Sequence, residues 1–407
     1  MLSMGLASFT VAVCFVVWVM RRPAQLVAPY IWAEESVVLR SWLEEGWSAA
    51  FNPLQGYFAF PSTFFIVLGA ELSVPALPVL EYVFATAVFL TTVALLLIPD
   101  SRWGDIRIRS LLAIALVLVP CDPEVFGVLL YSFWWAALWP VIILGWRGPL
   151  WGFRIPLLAI GALSSPAGCA MAVVFGLAWL RERDRVLFVS TLVLGLGAVL
   201  QILALAPSGR GSSMASKFSL ADLVESTVRT GGFYVGRWTA GDSGADRMWT
   251  LFLGLVFAGF VLAVTWIRVR RGGDFNVAYL ALSATLLVAV SQVPAAMVSD
   301  PLTAGPRYYF LPYALFAWFL IYVWSTNGTE SLRNACAVLV ALSLVTLGTA
   351  FSRPEDQSSF RLDWPDELRR CAKSQESEFP LRIMTDGSEE DVWTLSVRPE
   401  QCRRMLA

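Results

Sequence analysis

The sequence predicts an all-α polytopic membrane protein with about eleven membrane-embedded helices and a small α+β segment at the C-terminus. Of its 407 residues, 57% are hydrophobic and only 15% are charged, whereas soluble domains are roughly half apolar and a quarter charged. The apolar residues form long runs, and a helix needs about 20 apolar residues to cross a bilayer. Arginine clusters separate these runs, which is the pattern of a chain that crosses a membrane repeatedly.

Composition also excludes several classes of function. The chain has no histidine, which rules out an imidazole base or a histidine metal ligand. Its net charge of -1 argues against nucleic acid as a partner, because binding nucleic acid requires a concentrated basic face. The six cysteines show no CxxC spacing, so neither a zinc site nor a redox motif is expected.

The arginine clusters predict how the chain is oriented in the membrane. The positive-inside rule places such clusters in the cytoplasm. They are Arg102/Arg107/Arg109, Arg147/Arg154, Arg181/Arg183/Arg185, Arg268/Arg270/Arg271 and Arg333. We therefore expect a bacterial inner-membrane protein with a cytoplasmic N-terminus and a periplasmic C-terminus. Arg21-Arg22 is the exception, because this topology places the pair outside.

The same rule divides the apolar runs into single spans and hairpins. Residues 2–20 lack a basic start and a small-residue cleavage site, so we expect a retained helix. Residues 111–146 form a hairpin with its tip at 121–124, and 155–180 a short hairpin broken at Ser164-Ser165-Pro166, above which a recessed cavity opens outward. The other expected helices are spans 79–98, 186–206, 251–267, 275–298, 309–324 and 335–351, with a shorter interface helix at 56–70.

We divide the chain into a transmembrane domain, residues 1–351, and a small extracytoplasmic segment, residues 352–407. The transmembrane domain carries large outer loops at 21–78 and 207–249. In the C-terminal segment, the pattern predicts a helix at 366–373 and strands at 381–385 and 392–397 around Asp386-Gly387. Cys371 and Cys402 both lie in this segment, and an oxidising compartment would join them in a disulfide.

The first outer loop carries the acidic residues Glu34 and Glu35, followed by an amphipathic stretch. On a helical wheel Trp32, Leu39 and Leu43 share one face and Glu34 lies opposite, which indicates a helix on the membrane surface. One interpretation is a solvated acidic face. The other is a carboxylate that removes a proton from an acceptor hydroxyl.

These motifs resemble the GT-C class of polytopic glycosyltransferases. Members of that class place an acidic pair in the first outer loop, and here the matching residues are Glu34-Glu35. A surface helix and a stretch containing Gly-Tyr follow, matched by residues 52–58 with Gly56-Tyr57. Ser165-Pro166 matches a break in a short hairpin, and Arg307-Tyr308 matches an Arg-Tyr that opens a late helix. The organisation covers most of the chain, although members often carry Asp in the acidic pair.

The resemblance implies transfer of a sugar from a polyprenyl-phosphate donor to a glycan, lipid or protein acceptor on the outer face. An acidic residue then acts as general base, or helps to hold a divalent metal, Mg²⁺ or Mn²⁺. Glu34 projects away from the apolar face and is the expected base. Glu35 lies nearer the border of that face and would orient the base or hold the metal. The choice of base stays open between the two.

The expected substrate-binding residues are Tyr57, Glu124, Arg237, Arg307 and Tyr308. Arg307 stands alone in a short outer loop, and guanidinium pairs bidentately with phosphate; a simple anchor for the following helix is the alternative. Arg237, with its neighbours Tyr234 and Trp238, is placed to bind and stack on a sugar, unless the loop is merely solvated. Asp122 and Glu124 would line the cavity or cap a helix.

Other classes of function also fit. A lipid-linked glycan flippase or transporter is the first, although no charge lies at the centre of any span and no internal symmetry is visible, as transporters often show. A polysaccharide polymerase or ligase with a large arginine-containing late loop is the second, and the 207–249 loop suits it. A non-catalytic assembly subunit is the third.

Overall fold

The computed structural model describes residues 2–121, 123–148, 150–205, 220–236, 245–295, 306–326, 328–345, 362–385 and 392–406, and most of them are helical. The helices of the first half are α1 (Leu2–Arg21), α2 (Pro23–Val27), α3 (Glu35–Glu45), α4 (Ser62–Ser73), α5 (Leu77–Leu97), α6 (Ile106–Val117), α7 (Ser132–Ala137), α8 (Trp139–Leu144), α9 (Trp151–Ser164), α10 (Pro166–Glu182) and α11 (Arg185–Leu205). Those of the second half are α12 (Leu220–Gly236), α13 (Ala245–Gly272), α14 (Phe275–Ala295), α15 (Phe310–Ser325), α16 (Glu330–Val345), α17 (Trp364–Lys373) and α18 (Pro399–Leu406).

Among the described residues, five helical segments are long and apolar enough to cross a membrane, which is fewer than the sequence predicts. They are Met4–Arg21, Leu77–Leu97, Arg185–Leu205, Arg247–Gly272 and Arg307–Ser325. Several other expected spans are present as shorter apolar helices, namely Ser62–Ser73, Ser132–Leu144, Trp151–Ser164 and Phe275–Ser291. Breaks such as the one between Ala137 and Trp139 divide some of the apolar runs into shorter helices.

Helix α15 forms the centre of the bundle. In the segment Arg307–Ser325, 83% of the most apolar window is buried, against 22% for Arg247–Gly272. A helix that is apolar on all sides is stable only when other helices or lipid surround it. Here α15 packs against α6, α14 and α16, while α13 leaves Phe252, Leu255 and Leu262 exposed on its outer side.

The two predicted hairpins differ in how they turn. The break at Ser164-Ser165-Pro166 is confirmed, because α9 ends at Ser164 and α10 begins at Pro166. The Ser165 hydroxyl caps α10 by accepting from the Gly168 amide at 3.4 Å, and proline suits the first position of a helix. In the 111–146 hairpin, the tip is longer than expected, since the described residues between Leu118 and Tyr131 contain only the short 3₁₀ helix Pro123–Val125.

The arginine clusters meet at one end of the bundle, which we call the arginine end. Arg102, Arg147 and Arg181 line one pocket there together with Asp274. The Arg268 guanidinium donates to the Thr326 hydroxyl at the end of α15. The guanidinium of Arg333 lies over the neighbouring Trp324 ring, 5.7 Å from its centroid. The clusters therefore share one side, as the topology predicted from them requires.

The first loop and the C-terminal segment meet at the opposite end, which we call the loop end. The Trp364 indole donates to the Val74 carbonyl oxygen at 2.7 Å, between α4 and α5. Strands β1 (Phe379–Thr385) and β2 (Val392–Val397) pair antiparallel, and β2 packs beside α3. The helix and both strands predicted for this segment are confirmed; the turn at Asp386-Gly387 lies outside the described residues.

The predicted disulfide is confirmed. Cys371 in α17 and Cys402 in α18 are joined, with their Cα atoms 5.9 Å apart. Cys14, Cys121, Cys169 and Cys336 are buried and take no part in a disulfide. The cross-link ties together a segment that has little apolar core of its own, and this is where a disulfide contributes most.

Arg21 and Arg22, the exception to the orientation rule, are buried rather than exposed at the loop end. Arg21 donates to the carbonyl oxygens of Val119 at 2.8 Å and Cys121 at 2.7 Å. The Arg22 guanidinium lies 4.9 Å from the ring centroid of Trp32 and is 1% exposed. Both side chains hold the tip of the 111–146 hairpin and the first loop in place, so neither acts as a free surface charge.

Candidate functional site

Polar side chains from distant parts of the sequence meet around Arg307 at the loop end. The Arg307 Nη1 atom donates to Glu124 Oε2 at 2.7 Å and to the Tyr131 hydroxyl at 2.9 Å. Its Nη2 atom lies 4.0 Å from Glu34 Oε1. The structure therefore joins Glu34, Glu124 and Arg307, which the sequence singled out separately.

Irregular backbone positions each member of this group. Arg307 lies in the 3₁₀ helix Pro306–Tyr309 that leads into α15, and Glu124 lies in the 3₁₀ helix Pro123–Val125. Glu34 immediately precedes α3, in a turn where the Glu35 amide donates to the Trp32 carbonyl oxygen at 3.0 Å. Non-helical backbone lets side chains converge that a straight helix would direct to different faces.

Tyr131 is a member of the site that sequence reasoning missed. Its hydroxyl accepts from the Trp32 indole at 3.1 Å and from Arg307, and it donates to Glu34 Oε1 at 3.5 Å. Burial, and then the charge of Glu124, raise the pKa of Tyr131 well above its ordinary value. The hydroxyl therefore keeps its proton and links the cation to the carboxylate. In the sequence, its position seven residues after Glu124 is the feature that could have pointed to Tyr131.

Glu34 and Glu35 have opposite environments although they are adjacent. The Glu34 side chain is 21% exposed, and its Oε2 atom meets no hydrogen-bond donor among the described residues. Glu35 is 1% exposed, and its oxygens accept from the amides of Trp32 at 2.6 Å and Leu130 at 2.9 Å. Glu34 is thus partly exposed with one buried oxygen that has no donor among the described residues, whereas Glu35 is buried beyond the border position that the helical wheel predicts for it.

A divalent metal does not fit these residues. Within the described ranges, no group of three or more His, Cys, Asp or Glu side chains is arranged to hold a metal. The positive charge between Glu34 and Glu124 is supplied by Arg307, and Glu35 is engaged by backbone amides. We therefore derive no step that involves Mg²⁺ or Mn²⁺.

An aromatic cavity of about 320 Å³ adjoins the group. Its walls include Tyr57, Trp134, Ser165, Gln201 and Tyr308, so two of the predicted substrate-binding tyrosines and the Ser-Pro break face the same space. Tyr308 connects the cavity to the charged group, because its ring centroid lies 5.6 Å from the Arg307 guanidinium. Concave, largely apolar sites with a few convergent polar groups are where small ligands bind.

Gln201 fixes the shape of this cavity. From α11 its amide accepts from the Phe58 backbone nitrogen at 2.9 Å and donates to the Phe58 carbonyl oxygen at 3.1 Å. It also donates to the Ala162 carbonyl oxygen at 3.2 Å. A polar side chain within an apolar helix therefore clamps the first loop beside the hairpin break.

Of the other residues that the sequence singled out, the structure describes Tyr234, which lies in the core. Arg237, Trp238 and Asp122 lie outside the described residues. Tyr234, expected to stack on a sugar, is 2% exposed and packs in the core, with its ring 5.3 Å from that of Tyr313. Tyr234, predicted in an outer loop, instead belongs to α12, because residues 220–236 of that loop are helical.

Likeness to other proteins assigns no role to this site. No family model matches the chain, and no curated protein or solved structure matches it either. What these residues do is therefore argued from their geometry, burial and charge.

Proposed function

We propose that this chain is a GT-C-like membrane glycosyltransferase that transfers a sugar from a polyprenyl-phosphate donor to a glycan, lipid or protein acceptor. The observation that carries the proposal is the open carboxylate of Glu34 facing the Arg307 guanidinium, 4.0 Å away, beside an aromatic cavity. Sugar transfer from a lipid phosphate needs a base for the acceptor hydroxyl and a cation for the leaving phosphate. This group supplies both.

Glu34 acts as the general base. Its Oε2 atom has no donor within the described part of the chain; a buried unsatisfied oxygen calls for an explanation, and a role in catalysis is one. The acceptor hydroxyl gives its proton to Glu34 while its oxygen bonds to the anomeric carbon. The bond from that carbon to the phosphate oxygen breaks, and the electron pair leaves with the polyprenyl phosphate.

Arg307 receives the leaving phosphate. Its Nη1 atom is committed to Glu124 and Tyr131, which fixes the plane of the guanidinium. The Nη2 atom lies 4.0 Å from Glu34 Oε1, which is beyond hydrogen-bond distance. The N–H donors of Nη2 therefore stay available for phosphate oxygens, which match a guanidinium fork.

The aromatic cavity accommodates the sugar and the start of the lipid. The rings of Trp134 and Tyr308 meet edge to face at 6.0 Å, and Tyr57 lies on the same wall. Flat aromatic faces suit the apolar face of a sugar ring, and the phenol hydroxyls serve as hydrogen-bond partners. If the arginine end is cytoplasmic, as the positive-inside rule requires, the reaction takes place at the outer face of a bacterial inner membrane.

The test is sugar transfer by purified protein in detergent, with a panel of synthetic polyprenyl-phosphate hexoses and pentoses as donors. Glu34→Gln keeps size and removes the charge, and we expect the transfer rate to fall by roughly 10²–10⁴-fold. Glu44→Gln is the matched control, because Glu44 is exposed on the same helix α3. The control should transfer sugar at the wild-type rate.

Two outcomes would contradict the proposal. Transfer at the wild-type rate by Glu34→Gln would remove Glu34 as the base. Tight binding of a donor lipid by the wild-type protein without any transfer would favour the flippase, since a flippase needs the cation and the cavity but not the base.

A further inference from the structure

A second acidic side chain, Glu81, lies against Glu35 beneath the site. Glu35 is 1% exposed and Glu81, in the first turns of α5, is 2% exposed. Neither oxygen of Glu81 meets an N–H or hydroxyl donor in the parts of the chain that the structure describes. The side chain that contacts Glu81 at hydrogen-bonding range is the carboxylate of Glu35.

Such a contact is stable only if the two groups share a proton. Two ionised carboxylates in contact repel strongly in a buried, low-dielectric place, and one of them then keeps its proton. The hydrogen bonds show which of the two carboxyl groups keeps the proton. Glu35 accepts two backbone amides, from Trp32 and Leu130, and these bonds favour its charged form. Glu81 has no such donors, so its oxygen carries the proton and donates it to Glu35.

The surroundings agree with this arrangement. Burial raises the pKa of Glu35 from its ordinary value of 4.5 to about 7. Among the charged groups around it, Glu34 and Glu81 act on it, and both are acids. The charge of Glu34 raises this pKa as well, while the hydrogen bonds from the backbone and from Glu81 lower it.

We propose that Glu81 and Glu35 form an acid–carboxylate pair that holds one proton, and that this pair positions the groups of the site. Glu35 joins two backbone amides that lie on either side of the reacting groups. Trp32 carries the indole that donates to Tyr131, and Leu130 directly precedes Tyr131. Glu81 is thus a positioning residue that acts through Glu35 on Glu34 and Tyr131. The shared proton stands by itself; its consequence for transfer rests on the proposed function.

The proton can be observed without any assay of activity. Infrared spectra of the purified protein, recorded above the pKa of Glu35, should contain a C=O band of a protonated carboxylic acid that shifts in D₂O. Glu81→Gln should remove this band. Glu71→Gln is the control, because Glu71 is an exposed acid that accepts from the Trp42 indole, and it should leave the band unchanged. A wild-type spectrum without the band, or a band that persists in Glu81→Gln, would overturn the proposal.

A second pair of variants tests positioning. Gln at position 81 retains a donor for Glu35, so Glu81→Gln should keep the thermal midpoint and the transfer rate near wild type. Leu at this position cannot donate to the Glu35 carboxylate, which then keeps only its two backbone donors. We therefore expect transfer to slow by about tenfold or more. Equal behaviour of the two variants would contradict the positioning role.

These readouts separate the two proposals. If the chain is not a glycosyltransferase, the assay detects no sugar transfer. The infrared band and the thermal midpoints still show whether Glu35 and Glu81 share a proton. If Glu81→Leu does not fold, the infrared comparison of wild type with Glu81→Gln still decides the question.

Discussion

Two Arg–Glu pairs lie at opposite ends of the bundle, and they are built differently. At the arginine end, Arg102 binds both oxygens of Glu182, with Nη1–Oε1 at 2.5 Å and Nη2–Oε2 at 2.6 Å. At the loop end, Arg307 binds Glu124 through Nη1 alone at 2.7 Å. Both terminal nitrogens of Arg102 bind one carboxylate, whereas Arg307 binds Glu124 through Nη1 and keeps Nη2 outside that ion pair.

The surroundings explain this difference. Arg102 ties the loop after α5 to the end of α10, so its partner completes a structural joint. Arg307 lies between Glu124 and Glu34, with an aromatic cavity beside Tyr308. The same two residue types therefore form a closed joint at one end and, at the other, an ion pair that uses only one nitrogen of the guanidinium. Residue type alone does not distinguish these roles. The two pairs differ in the Nη2 atom, which binds the carboxylate in Arg102 and does not bind Glu124 in Arg307.

The largest expected effect is all-or-none and concerns which end faces the cytoplasm. We expect all five arginine clusters inside and the loop end outside. Alkaline phosphatase fused after Ala407 should be active in bacterial cells, and a green fluorescent protein fused there should be dark. Cys371 and Cys402 should resist alkylation until a reductant is added, because an oxidising compartment maintains their disulfide. Fusions at Ala407 that work only in the cytoplasm would reverse the assignment of the ends.

The next effect separates the two Arg–Glu pairs. Arg307→Ala should weaken binding of a polyprenyl-phosphate lipid by roughly 10- to 100-fold, since a hydrogen bond to a charged group contributes about 1.5–3 kcal/mol. Arg102→Ala is the matched control and should leave the lipid Kd unchanged. It should lower the thermal midpoint, because Glu182 loses the guanidinium that binds it. Equal loss of affinity in both variants would mean that the open pair is no more a binding group than the closed one.

The comparison also shows what the sequence could reveal. Glu34, Glu124 and Arg307 were found because charges stand out in an apolar chain, and the loops that carry them lie at one end of the predicted topology. The Ser-Pro break was found because proline cannot continue a helix without loss of a hydrogen bond. In each case a local pattern was sufficient.

Glu81 and Tyr131 were not found, for a physical reason. Periodicity predicts which face of a helix is buried, but not which distant residue it meets, and Glu81 begins an otherwise apolar helix. The partner of Glu35 depends on how α5 packs against the first loop. The place where a helix ends inside an apolar run was not predicted for a related reason, because such a run does not show a break like the one between Ala137 and Trp139.

The smallest expected effect is a pH dependence of stability, and it tests Glu35, the buried member of the Glu34–Glu35 pair. Because the pKa of Glu35 is raised from 4.5 to about 7, the folded protein binds more protons than the unfolded chain between these values. The stabilising contribution of Glu35 is therefore complete below about 4.5 and is lost as the pH rises through about 7.

Other acids give their own pH dependence, so the informative quantity is the difference between the thermal midpoints of wild type and Glu35→Gln. We expect this difference to shrink as the pH rises across that window, while Glu44→Gln, an exposed neighbour on α3, follows wild type throughout. Midpoints of Glu35→Gln that run parallel to wild type at every pH would show that Glu35 titrates as an ordinary surface acid. The contrast between an open Glu34 and a buried, proton-linked Glu35 would then be wrong.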